Sequence, residues 1–574
     1  MKHMNKQLYN TRLLKRALLP LLASTLLLGS CKKNILQLLN PNQPIPQGAL
    51  TTENGIDAFA QGIFYKWIAV ETGDGNLNFF DIAWYMESNM GDEDFTPYSN
   101  FGSRYPMNIA KITLPPPYNT PVVNPSGFAT QLNILESFNT RAAGDGNSIQ
   151  YEWDCFYYVN AQANALLTAL ANPALKLSGD AATKIKLLQA WAYYWKGYSY
   201  SKIGSMYLAG LIDDNLDSAA KGLTSNLYVP HDQVIANANK NFDQAAAIFG
   251  SITENGDYDA TFKLMIPTFN VPGNIITPAM WVRNIKSFEA RNYLVNRKVA
   301  AMTSSDWTTV QTLAAAGMQQ NDYALQWGSA PLGVPDLTKG FGFPLHPMVL
   351  HALNGGLSYV SERLIQDIMP GDKRFTAFKL YPTGPQVNVL NRGIQFGTRY
   401  LPIDFEDTTA AYKGKGRYAT DNYDPRALVS IAPTYEETAL MTAEADIYMG
   451  NVDAGLKLID AVRASQGAGL PTLAGSGITA DSALVHLHSE RRIGLYLHNT
   501  SWYDARRWGI TQPVAQGGGR IGNILVPGTL IGPSGTPATI LPCLIDYSFS
   551  DYWDIPQNEL DFNAPGPGSA PIKN

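Results

Sequence analysis

Between Glu490 and Gly509 the chain reads ERRIGLYLHNTSWYDARRWG, two arginine pairs and two tryptophans within twenty residues. Ile493, Tyr496 and Leu497 recur at three- and four-residue spacing, which predicts an amphipathic helix running into the cluster Trp502, Tyr503, Asp504, Arg506, Arg507 and Trp508. Guanidinium groups stack on indole faces and pair with carboxylates such as Asp504 and Glu490. So many arginines beside large apolar rings cannot be buried unpaired. They are read here as an internal lock between helices, and nothing in the composition makes a catalytic site by itself.

The first thirty residues have a different character. Lys2, Lys6, Arg12, Lys15 and Arg16 precede the apolar run Ala17 to Leu28, and no acidic residue occurs among them. That run is shorter than the roughly 20 residues a membrane-spanning helix needs, so it reads as an export signal. Leu28-Gly29-Ser30-Cys31 has the form of a lipobox, with small residues at the cleavage point and a thiol to take the lipid. Asn34 to Gln47, NILQLLNPNQPIPQ, reads as a proline-punctuated tether. The expected organisation is 1–30 signal peptide, 31–50 lipid-anchored tether, 51–255 N-terminal helical region and 256–574 C-terminal region.

Charge follows from processing. The chain has 43 Lys and Arg against 48 Asp and Glu, and removing the five basic residues of the leader leaves 38 against 48, a net charge near −10. A mildly acidic protein argues against a nucleic-acid partner or a polybasic membrane contact. Beyond Cys31 the cysteines are Cys155 and Cys543, which allow either one disulfide in an oxidising compartment or two buried free thiols.

Helical periodicity covers much of the remainder. Thr51 or Thr52 caps a helix over 54–67 with Ile56, Phe59, Ala60, Ile63 and Phe64 on one side. From Gly73 to about Ser148 the pattern breaks into loops. Helices resume from Tyr151 to before Asn172-Pro173, over Ala181 to Ile203 with Gly204 as the stop, and over His231 to Phe249. Tyr435 to Ser465 reads as a helical hairpin turning at Gly450-Asn451, with Ala443 and a small residue, Ala454 or Gly455, where two helices approach. This is tetratricopeptide spacing. Asp372 and Arg374 read as a helix-stop ion pair, 511–542 as a Gly/Pro-rich excursion, and Gly517-Gly518-Gly519 as a flexible loop.

The order of these stretches resembles the SusD/RagB-like family: a lipidated cysteine followed by an Asn-Pro tether (28–42), SERLIQDIMPGDKRF (361–375), the hairpin at 435–465, the arginine-tryptophan stretch at 490–509, and YWDIPQNELDFNA (552–564). The resemblance implies a mainly α fold with tetratricopeptide-type hairpins and a loop-rich irregular lobe. It also implies a lipoprotein of the outer membrane facing the cell exterior, lipidated at Cys31. Such a protein binds oligosaccharide or polysaccharide and passes it to a SusC-like TonB-dependent transporter, with no cofactor and no catalysis. A lipid-anchored glycoside hydrolase and a peptide-binding member of the family are the alternatives.

Catalytic and metal signatures point the same way. His486 and His488 are two apart and face different sides of a helix, and no His-Glu-x-x-His occurs. A glycosidase needs two carboxylates flanking the bond. Asp92, Glu93 and Asp94 are the serious candidates, read here as a solvated acidic loop or cation clip in preference to a catalytic pair. Sugar recognition calls for flat apolar faces beside amides and acids. The candidate ligand-binding residues are Trp84, Tyr85, Asn89, Asp92 and Asp94 in the first long loop, and Trp307, Tyr323 and Trp327 in the central region.

Overall fold

The computed structural model describes residues 50–67, 79–96, 100–124, 127–216, 224–266, 271, 275–328, 339–340, 343–344, 359–380, 397–402 and 428–574. The leader, Cys31 and most of the tether lie outside these residues. The fold is mainly α. Helix α1 (Glu53–Trp67) begins where Thr52 Oγ1 accepts the Gly55 N–H at 3.2 Å, and it buries Ile56, Ala60, Ile63 and Phe64.

The stretch read as loop from Gly73 contains helix α2 (Phe79–Met90) and helix α3 (Gln131–Phe138). The sequence hides α2 because residues 82–90 are buried whether apolar or polar. A helix enclosed on all sides shows no amphipathic stripe.

Helix α4 (Gln150–Leu170) and helix α5 (Ala181–Met206) form the centre of the N-terminal region. Gly204 does not stop α5, which runs on to Met206. A Cβ there would meet Ile235 Cδ1 at 2.9 Å and the His231 carbonyl at 3.0 Å, so the glycine serves close approach of helix α6 (His231–Gly250). Gly197 works likewise, with the Phe242 ring 2.5 Å from the position of a Cβ. Helix α7 (Gly256–Met265) and helix α8 (Pro278–Val295) follow. Between α5, α6 and α8 the rings of Trp191, Tyr194, Trp195, Phe242, Trp281 and Phe288 pack mostly edge to face, 4.8–6.3 Å between centroids. That is the spacing aromatic quadrupoles favour.

Helix α9 (Ser304–Ala315) opens with a full capping box between Thr303 and Asp306. Helix α10 (Glu362–Asp367) is short. Helix α11 (Tyr435–Tyr448) and helix α12 (Val452–Ser465) form the expected hairpin. Gly450 turns at φ +87°, and Gly455 lies so close to α11 that a Cβ would sit 2.7 Å from the Ala443 carbonyl and from Ile447. Helix α13 (Ala480–Gly494) buries Ala483 and Leu487 against this hairpin, and helix α14 (Ser501–Arg507) carries the arginine-tryptophan stretch. Helix α15 (Gln557–Leu560) lies near the end.

Strands are short, apart from one four-stranded antiparallel sheet. Its order is Arg520–Val526, Thr539–Asp546, Lys111–Thr113, Pro121–Val123, with Ile521 opposite Leu544, Leu544 opposite Thr113 and Thr113 opposite Pro121. The excursion at 511–542 therefore supplies one sheet strand and leads into the next. Gly517–Gly519 is a packed turn instead of a flexible loop, since a Cβ on Gly518 would lie 2.1 Å from the Gln512 carbonyl. Cys155 and Cys543 are both buried and are not joined in a disulfide.

Candidate functional site

The lock predicted from residues 490–509 is a lattice of buried ion pairs. Arg507 donates two hydrogen bonds of 2.6 Å to Glu444 on α11 and one of 2.8 Å to Asp504, whose other oxygen accepts from Arg491 at 2.7 Å. All four side chains are essentially inaccessible to water. Burial alone would raise the Asp504 carboxyl, but Arg491 and Arg507 outweigh it and hold it below its ordinary value. Glu490 joins Arg374 and Arg463, and Arg374 also grips Asp372 at 2.7 Å, so the expected helix-stop pair is part of the same lattice. Arg506 instead donates to the carbonyls of Ser205, Asp551 and Val295 at 2.6–3.0 Å, tying α14 to the ends of α5 and α8.

The lattice extends into the acidic stretch 92–94, which is neither solvated nor open to a cation. Asp92, at φ +57°, is engaged by Arg363, by Arg520 at 2.7 Å and by the Tyr547 hydroxyl, while Arg492 donates to the Gly91 and Asp92 carbonyls. Burial would raise Asp92, and Arg363 and Arg520 hold it well below the usual carboxylate range instead. Asp94 accepts from Ser88 Oγ at 2.6 Å and from the Tyr496 hydroxyl at 3.3 Å. Burial and the neighbouring Asp94 push the Glu93 carboxyl up to about 8, so it carries a proton at neutral pH. A second buried acid lies on α4, where burial and Glu87 push Glu152 up to about 8 beside Lys202.

The other residues singled out for sugar contact are placed as follows. Trp84 and Tyr85 are buried in α2, with the Trp84 ring 5.4 Å from Phe80. Asn89 is buried and donates to the Tyr85 carbonyl at 2.7 Å. Residues 84–94 thus belong to one helix and its exit turn, not to an exposed loop. Trp307 is 4 % exposed and stacks on Tyr448 at 4.3 Å, held among α8, α9 and α11. Tyr323 is 39 % exposed, and Trp327 pairs through its backbone with Val429; its side chain lies outside the described residues. The rings of Trp84, Tyr85 and Trp307 present no open face, because each is used in packing.

A different aromatic group does face outward. Phe375, 40 % exposed, meets the half-buried Tyr400 ring edge to face at 5.8 Å. The Arg399 guanidinium lies over that Tyr400 ring at 5.3 Å and is fixed by Glu362. A ring pair with a cation fixed beside it offers both an apolar face and hydrogen-bond donors to a hydroxylated ligand. The sequence carried one cue, that Phe375 directly follows the Asp372-x-Arg374 clamp. Nothing in the spacing joins it to Tyr400.

Comparison with known proteins agrees with this architecture. The family model described as the SusD family matches residues 435–564, the segment from α11 past the sheet hairpin to α15. No curated protein matches the chain. Among solved structures, a SusD-like carbohydrate binding protein from Bacteroides fragilis superposes with a TM-score of 0.52 at 14% identity, over 89% of this chain and 98% of that one. A SusD-like protein from the same organism gives 0.50 at 12% identity, over 89% and 96%. The lattice built on Glu444, Asp504 and Arg507 falls wholly inside the matched segment, and the helical frame around it is shared along most of the chain. The chain is thus similar to the SusD family over residues 435–564, and its fold as a whole is the mainly helical fold of the SusD-like structures.

Proposed function

We propose that this protein is a lipid-anchored glycan-binding protein of the outer-membrane surface, which captures an oligosaccharide or polysaccharide fragment and passes it to a SusC-like TonB-dependent transporter. The observation that carries the reading is the SusD-family match over residues 435–564. It is supported by the carbohydrate-binding description of the neighbour from Bacteroides fragilis and by the lipobox ending at Cys31. Residues 31–50 serve as the tether. Among the described residues no helix is long and apolar enough to cross a membrane, which suits attachment through a lipid at Cys31.

Capture proceeds without bond cleavage on this reading. Asp92 is committed to two arginines and a tyrosine, and Glu93 and Asp94 are buried beside it, so this trio does not flank an open cleft as glycosidase carboxylates do. Ligand contact falls to exposed rings, for which Phe375 and Tyr400, with Arg399 and the separately placed Tyr323, are the described candidates.

Affinity electrophoresis against a polysaccharide panel, followed by analysis of the glycan, tests the reading. Retardation by at least one glycan that stays intact is expected, and Phe375→Ala should weaken it by up to about tenfold, the loss of one stacking face. Shortened glycan would overturn the non-catalytic reading. Retardation unchanged in Phe375→Ala and Tyr400→Ala would remove this corner from the site.

A further inference from the structure

Where α2, α5 and α8 meet the turn between α13 and α14 lies a cavity of about 30 Å³, walled by Trp84, Tyr198, Lys202, Phe288, Arg291 and Asn499 among others. Two of these side chains lack hydrogen-bond partners among the described residues: the Trp84 indole N–H, and the Asn499 amide at both Oδ1 and Nδ2. They are 2 % and 7 % exposed. A buried polar group left without a partner is costly, so three such atoms on two residues of one cavity wall call for an occupant.

The backbone beneath Asn499 strengthens the case. Leu497 and Asn499 have φ +60° and +59°, and asparagine tolerates the left-handed region whereas leucine does not. Leu495, Tyr496 and Leu497 are buried and hold this strained turn in place, and the turn brings Asn499 to the cavity wall.

Charge and size select the occupant. Lys202 is paired with Glu87 at 2.6 Å and lies 3.2 Å from Glu152, and Arg291 is paired with Glu437 at 2.6 Å, so the cations of the wall already have counter-charges. An anion accepts hydrogen bonds but cannot donate to Asn499 Oδ1, and a metal ion would face the indole N–H. Water alone of these both donates and accepts. One water needs about 10–15 Å³ of such space, so the volume suits about two and excludes a sugar.

We infer that this cavity is a binding site for about two ordered water molecules, held by Trp84 and Asn499, which complete the packing of α2, α5 and α8 against the strained turn. The site is independent of the glycan-binding corner. The test is a crystal structure of the purified protein with bromide replacing chloride, at a resolution that shows ordered solvent. Solvent density within hydrogen-bond distance of Trp84 Nε1 and of the Asn499 amide, without a bromide anomalous peak, is the expected result. A bromide peak would make it an anion site, and a cavity without density would make it dry; either overturns the inference. In Trp84→Phe crystals the solvent on the indole side should be lost while that on Asn499 persists, and density unchanged at both positions would refute the role given to Trp84.

Discussion

Replacing Arg507 by methionine is the sharpest test of the buried lattice. Arg507 makes three charge-assisted hydrogen bonds, two to Glu444 and one to Asp504, and is wholly buried. Methionine keeps much of the volume, but it leaves Glu444 with only the Trp508 indole, at 3.3 Å, as a described hydrogen-bond partner; Asp504 keeps Arg491. Breaking a buried pair from one side costs about 3–5 kcal/mol, because the remaining charge stays out of water. Heat is a poor readout here. With unfolding entropy near 2.1 cal/mol/K per residue, a chain of 574 residues shifts by only about 0.8 °C per kcal/mol. Urea unfolding of the purified protein, with Arg507→Met, Glu444→Leu and the double variant, gives the measurement as a double-mutant cycle. Each single variant should lower the midpoint, and the double should lose less than the sum of the singles by at least about 2 kcal/mol, since it buries no orphaned Glu444 charge. A loss below about 1 kcal/mol for Arg507→Met, or additive singles, would show that the lattice is not the structural lock described.

Three further outcomes follow from other parts of the molecule. Glu93, pushed up to about 8 from an ordinary value near 4.5, binds its proton more tightly folded than unfolded; its stabilisation is complete below about pH 4.5 and is lost as pH rises through about 8. Stability measured by urea between pH 5 and 8 should therefore fall with rising pH by roughly 1.4 kcal/mol per unit for each such group; Glu93→Gln should remove its share and leave that of Glu152, and an unchanged slope would refute the buried-acid assignment. Gly455→Ala places a methyl against the Ala443 carbonyl and should cost about 1–3 kcal/mol in urea unfolding, whereas a neutral result would mean that α11 and α12 are not so close. Cys155 and Cys543 should resist a thiol reagent in the native protein and react on unfolding without a reductant; failure to react after unfolding would show them oxidised.

The sequence told most where one physical requirement left little choice. Arginine pairs among tryptophans have to be neutralised if buried, and Arg491, Arg492, Arg506 and Arg507 all find carboxylates or carbonyls. The hairpin at 435–465 was legible for a similar reason, because small residues at a helix crossing mark backbones in close approach. Glycines elsewhere mislead where one residue type serves two purposes. Gly204 has the form of a helix stop and acts as a contact surface for α6, and Gly517–Gly519 has the form of a loose loop and is packed under Gln512.

Ligand contact is the part that sequence conveys least, and α2 shows why. Trp84, Tyr85, Asn89 and Asp92 have the chemical types a sugar site uses, but those types also build a buried polar helix when partners arrive from far along the chain. Arg363, Arg492, Arg520, Tyr496 and Tyr547 are such partners, all more than 250 residues away in sequence, and no local pattern foretells them. Phe375 and Tyr400 carry no more striking local signature than Trp84 does. They differ in being left partly uncovered while Arg399 is pinned beside them by Glu362. Exposure is decided by which faces the rest of the fold consumes. A buried lattice that saturates its own acids therefore does two things at once: it fixes the helices, and it withdraws from ligand chemistry the residues that sequence alone would nominate for it.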